Sequence, residues 1–128
     1  MRGARWGKAW GVGLLGAMLG SCAPYPGDDV LVSIFDWRYQ PTHIRVKPGQ
    51  TVRMLNLDTQ PHSATSASEP GRFVPGESDG ISFDTGAFLG EERAFTIPVD
   101  AVPGSFVPFF CTVHRDFQHG VGRLVVTE

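Results

Sequence analysis

The residues able to do chemistry gather in two short segments. Near the C-terminus the chain reads Phe109-Phe110-Cys111-Thr112-Val113-His114, and His119 follows in Asp116-Phe117-Gln118-His119. A thiol thus leaves an aromatic, strand-like run, and an imidazole comes three residues later. Upstream, Asn56-Leu57-Asp58-Thr59-Gln60-Pro61-His62-Ser63 carries a second imidazole at the end of another strand-like run. One thiolate and two imidazoles form the trigonal set of a blue-copper centre, normally completed by a weak, long axial ligand. Soft sulfur accommodates Cu(I) and imidazole suits both oxidation states, so such a site cycles by one electron. The same residue types permit a Cys–His nucleophile pair for acyl transfer. Against that stands the lack of a Gly-rich oxyanion turn or helix start behind Cys111.

Bringing these segments together requires a scaffold, and the pattern is one of short strands. Sixteen Gly and ten Pro in 128 residues mean many turns, and no helix of ordinary length is visible. Val30–Phe35 is β-branched and aromatic, while Thr42–Lys47 alternates so that Ile44 and Val46 face inward. Pro48-Gly49 turns the chain into Thr51–Asn56, and a loop-rich stretch follows from Asp58 to Gly80. Further strands are expected at Ile81–Asp84, Arg93–Ile97, Phe106–Cys111 and Val121–Thr127. About seven to eight short strands with turn signals between them read as an all-β sandwich.

From about Val30 to the C-terminus the chain resembles the small cupredoxins of the plastocyanin, pseudoazurin and amicyanin kind. The resemblance rests on Val46-Lys47-Pro48-Gly49-Gln50-Thr51-Val52, on the Asn-x-Asp-x-x-Pro-His segment ending at His62, and on Gly104 to His114. It implies a Greek-key β-sandwich holding one copper ion, with His62, Cys111 and His114 as equatorial ligands. It also implies electron transfer rather than catalysis, with the edge of His114 as the route. A copper reductase acting on a small nitrogen oxide is the lesser alternative, since such members of the family normally need a second copper and further histidines, and here only His43 is unassigned. The expected partners are redox proteins such as c-type cytochromes or oxidases.

The axial position departs from that pattern. Plastocyanin-like members carry Met five residues after the second His, and here that count lands on His119. Counting back from the last strand lands on Gly120 instead. Met54 sits in an alternating strand, where the family keeps a large core residue. The first choice for the fourth donor is His119, the second Gln118, and the third Asp116 or no ligand; a surface turn is the plain alternative for His119. An imidazole there would favour Cu(II) and lower the potential. A closed site of one thiolate and three imidazoles would suit a copper carrier or store, the competing function, and zinc fits such a set too.

The remaining candidates take plainer readings. His43 occupies an outward slot, and Phe106, Phe109 and Phe110 belong to the core and to a dry wall beside the thiol. Asn56 or Ser63 is expected to hydrogen-bond across the site and steady the Cys111 loop. Glu69, Glu77, Asp79, Glu91 and Glu92 form a solvated acidic face, with steering of a basic partner as the lesser reading.

The first residues are an address. Arg2, Arg5 and Lys8 precede the apolar run Trp10–Leu19, too short to span a bilayer but suited to a signal peptide. Leu19-Gly20-Ser21-Cys22 resembles the lipobox of bacterial lipoproteins. The expected organisation is therefore a signal peptide over 1–21, an acylated Cys22 with a short tether over 22–29, and a copper-binding domain over 30–128. Acylation at Cys22 would anchor a monomer to the extracytoplasmic face of a bacterial membrane, periplasmic or at the cell surface. Losing that leader removes Met1 and Met18, so Met54 is the one methionine left, and Cys111 the one unacylated cysteine. The formal net charge of −2 and the lack of a basic cluster argue against nucleic acid as a partner.

Overall fold

The computed structural model describes residues 28–114 and 121–128. The leader, Cys22, residues 23–27 of the tether, and the axial candidates Asp116, Gln118, His119 and Gly120 lie outside the described residues. Eight strands make two four-stranded sheets, and the described residues include no helix. They are β1 (Val30–Phe35), β2 (Arg38–Gln40), β3 (His43–Val46), β4 (Thr51–Asn56), β5 (Thr65–Ser66), β6 (Glu92–Thr96), β7 (Phe106–Phe110) and β8 (Val121–Val126). One sheet runs β2-β1-β4-β6, the other β3-β8-β7-β5. β1 lies parallel to β4 and β3 parallel to β8, while the other neighbours are antiparallel, so both sheets are mixed.

Alternation sets which side chains meet between the sheets. β4 places Val52, Met54 and Asn56 inward, and β3 buries Ile44 and Val46 while His43 and Arg45 face water. A one-residue slip in either strand would send its apolar set to solvent, so the pattern fixes the register. Val32, Ile34 and Met54 meet Val107, Phe109, Leu124 and Val126 in one cluster. Each such side chain contributes about 1.5–3 kcal/mol on burial. Cys111 is the one free cysteine among the described residues, so this packing rather than a cross-link holds the site's two straps apart. Met54 is fully buried in that core, as its place in the alternation implies.

Three local expectations need correction or refinement. Ile81–Asp84 is not a strand: Ile81 and Asp84 make only isolated bridges, to Ser78 and Thr65. Ile81 and Phe83 are buried all the same, so the alternation reflects packing rather than a ladder. β2 and β5, with three residues and two, are too short to show a period. The end of the expected tether is tied to the domain, since Asp29 accepts from Arg53 Nε at 2.6 Å and Asp28 O from Gln50 Nε2.

The centre of the second sheet depends on one missing side chain. Gly122 in β8 lies opposite Phe109 in β7, and a Cβ built there would sit 2.4 Å from the Phe109 ring. That ring is itself wedged, with centroids 4.7 Å from Tyr39 and 5.8 Å from Phe83. Overpacking of this kind costs about 1–3 kcal/mol. Gly122→Ala is expected to lower the thermal midpoint of the metal-free protein accordingly. An unchanged midpoint would show that the Phe109 ring can move aside.

Candidate metal centre

Each donor is delivered by a different piece of chain. Cys111 follows directly on β7, which runs between β8 and β5 and is therefore fixed on both sides. His114 comes back over it through a tight turn, with the His114 amide donating to Cys111 O at 3.3 Å. His62 arrives from the other sheet, on the strap that leaves β4. That strap is held by a reciprocal backbone bridge, His62 N to Phe88 O at 3.2 Å and Phe88 N to His62 O at 2.9 Å.

The three donor atoms converge. Cys111 Sγ lies 3.8 Å from His62 Nδ1 and 3.6 Å from His114 Nδ1, and all three atoms fall within 4.8 Å of one another. Ligands about 2.0–2.3 Å from an ion in a trigonal plane stand about 3.5–4 Å apart, so the set has the span of a metal site. His62 and Cys111 are each only 2% exposed, whereas His114 is partly exposed and is the outermost of the three. Burial, and then the neighbouring His62, weaken the proton affinity of His114, with Asp58 opposing. A neutral imidazole is the form that binds a metal ion.

Behind the donors stands a set of hydrogen bonds. The Ser63 amide donates to Cys111 Sγ at 3.4 Å, and Ser63 Oγ accepts from the Thr112 amide at 2.9 Å. Of the two residues expected to bond across the site, Ser63 is the one that does so. Asn56 instead braces the His62 strap, donating from Nδ2 to Gln60 O and Phe88 O and accepting the Asp58 amide. Tyr39 donates its hydroxyl to Ser63 O. Its phenol is held well above its ordinary pKa by burial and by the Cys111 charge, so it stays a donor.

Asp58, a fixed position of the Asn-x-Asp-x-x-Pro-His segment, and Trp37 are site residues to which the sequence pattern assigns no role. Asp58 Oδ2 stands 2.8 Å from His62 Nε2 and also accepts the Trp37 amide at 2.9 Å, while Oδ1 accepts the Asp36 amide at 2.8 Å. A proton on His62 Nε2, bonded to this carboxylate, leaves Nδ1 free to face the thiol, and such partners fix tautomer and ring orientation. Burial alone would raise the Asp58 carboxyl, but the Trp37 and Asp36 amides and His62 outweigh it and hold it below its usual range. The spacing of four between Asp58 and His62 was the available signal. Trp37 announces itself by no spacing, because it acts from a turn of the other hairpin.

The remaining expectations separate. His43 is exposed on β3 and takes no part in the donor group. Phe109 and Phe110 are buried, whereas Phe106 is half-buried beneath the Arg123 guanidinium at 5.4 Å. In the acidic set, Glu91 and Glu92 pair with Arg93 and Arg53, and Asp79 accepts the Phe106 amide. The two arginines thus offset two of the five acidic groups, while the amide bond to Asp79 leaves its charge in place.

No protein-family profile matches the chain, and no curated protein matches it in sequence. Solved structures do match in fold. An oxidised point mutant of amicyanin is 21% identical at a TM-score of 0.58, covering 80% of this chain and 86% of its own. A purple cupredoxin from Nitrosopumilus maritimus is 19% identical at a TM-score of 0.58, covering 77% of this chain and 100% of its own. A copper-containing nitrite reductase from Thermus scotoductus SA-01 is 22% identical at a TM-score of 0.59, covering 78% of this chain but 22% of its own. The chain has the cupredoxin fold, and it spans about a fifth of the reductase.

The Asp58 contacts yield a testable sign. A carboxyl held below its usual range contributes stability that is present above about pH 4, and that is lost as pH falls through its folded-state value. Asp58→Asn places an NH2 among three N–H donors and is expected to cost the metal-free protein about 1.5–3 kcal/mol near neutrality. The gap between variant and wild type should close in acid, as followed by denaturant unfolding across pH. A gap independent of pH would remove the charge from the explanation.

Proposed function

We propose that this chain binds one copper ion through His62, Cys111 and His114 and carries single electrons between extracytoplasmic redox partners. The observation that carries the reading is the preformed donor set: a buried thiol and two imidazole nitrogens within 4.8 Å of one another. Copper in such a set supplies a one-electron couple. The chain supplies the rest. Two sheets fix Cys111 and His62, Asp58 holds the His62 tautomer, and Ser63 ties the thiol to the opposite strap. A site held this firmly changes little when an electron arrives, which is what a carrier needs.

The surface around the site supports docking of a redox partner. Phe35, Leu57, Leu89 and Val113 are all more than two-fifths exposed. Each sits next to a piece of the site: the Asp36–Trp37 turn, the Asp58 strap, Phe88 or His114. We place the domain outside the cytoplasm, anchored through acylated Cys22, on the strength of the leader and its Leu19-Gly20-Ser21-Cys22 sequence. A c-type cytochrome or an oxidase is the kind of partner proposed.

Two measurements test this reading. Adding Cu(II) to the metal-free protein is expected to produce an intense thiolate-to-copper absorption band, with Cys111→Ser abolishing it. Narrow copper hyperfine splitting in EPR supports the carrier, whereas wide splitting with a band at shorter wavelength means a strong fourth donor and favours storage. No intense band at all would sink the copper site. Separately, Cys22→Ala is expected to release the protein from the membrane fraction, and continued attachment would refute acyl anchoring.

A further inference from the structure

The turn between β1 and β2 is built against local preference. Phe35 pairs with Arg38, which leaves Asp36 and Trp37 as its two central residues, with φ of 54° and 63°. Positive φ at both positions marks a type I′ turn, whose second central residue is best taken by Gly. Asp36 tolerates the left-handed region, but a bulky Trp there carries a steric cost. Strain of this kind persists where the surroundings over-determine it, and such positions cluster at functional sites.

The surroundings of Trp37 are the two imidazoles. Its amide bonds to Asp58 Oδ2, the oxygen that also faces His62 Nε2. Its indole lies on His114, with centroids 4.0 Å apart and the planes tilted by 40°, and stands edge-on to His62 at 6.0 Å. His114 is the least buried of the three donors, so the ring covers the ligand that water reaches most easily. A Gly would relieve the turn and keep the backbone bond to Asp58, yet the chain carries an indole.

We infer that Trp37 is a positioning residue for His114: the indole packs on the imidazole and slows its departure from a bound copper ion. The inference rests on the copper reading above. Release to a chelator would be a ligand exchange that starts at the outermost donor. The His114 bond to copper would break as a chelator bond forms, the bonds from His62 and Cys111 would be exchanged in turn, and copper would keep its oxidation state. With the ring in place, one side of the imidazole is covered, so it swings less freely and incoming donors have less access there.

Trp37→Gly separates this role from folding, because it removes the ring while suiting the turn. The metal-free variant is expected to melt at or above the wild-type midpoint. Its copper is expected to pass to excess chelator at least about tenfold faster than from wild type, within the range typical of residues that support metal ligands. The thiolate band provides the readout, and Trp37→Phe should restore most of the slow release. Wild-type release rates in Trp37→Gly, with the band present, would overturn the inference and leave the copper site standing. A lower midpoint in that variant would assign the ring to fold packing and overturn it as well. If wild type itself shows no thiolate band, the copper reading fails first and this inference goes with it.

Discussion

Ser63 is bonded twice to the start of the Cys111 turn, its amide to Sγ and its hydroxyl to the Thr112 amide. These two bonds join chain segments 48 and 49 residues apart, at the one place where the two sheets must agree for a metal site to exist. The Ser63 carbonyl is meanwhile held by the Tyr39 hydroxyl, from the edge of the first sheet. Position is therefore imposed on the thiol from outside its own strand. Hydrogen bonding around a cysteine sulfur also tunes the potential of a copper bound to it, so the contact that assembles the site would also tune a copper held there.

The rest follows a division of labour between rigid and adjustable parts. β7 lies between two strands, and Gly122 leaves room for the Phe109 ring, so Cys111 emerges from a fully packed position. His62 sits on an irregular strap, which on its own would be mobile. It is stiffened by polar bonds instead: Asn56 beneath it, the Phe88 bridge beside it, and the Asp58 carboxylate on its far nitrogen. These pairings answer the demand of burial, since an unpaired polar group costs about 1–3 kcal/mol. The site thus takes geometry from packing on one side and from hydrogen bonds on the other.

How much of this could be read from the residues alone depended on the kind of signal. Ile44, Val46, Val52 and Met54 announce their burial by alternation, and the main strands follow within a residue or two. Cys111, His114 and His62 announce themselves by type and spacing. Alternation misled at Ile81–Asp84, where inward side chains decorate bridges rather than a strand. β5 has two residues and leaves no period to detect. Asp58 and Trp37 escaped for a different reason. Each acts through a contact whose partner lies on another element, and Trp37 does so from a backbone conformation that favours Gly, against which any reading by propensity is biased.

That last point bears on how the site works. Local preference and global fold agree almost everywhere in this domain, as they must for one structure to be selected. Among the described residues, the bulky side chain held at positive φ is Trp37, and its turn lies on the two imidazoles rather than at a remote edge. If Trp37 served only to close the hairpin, Gly would close it with less strain, and the indole would be an unexplained cost. Placed over His114, the ring acts on the one donor that neither the core nor the Ser63 crossing secures. The two inner donors are held by burial and hydrogen bonds, and an aromatic face adds to the turn that holds the outer one. The domain therefore departs from the simplest turn at the point where its candidate metal site is otherwise most open.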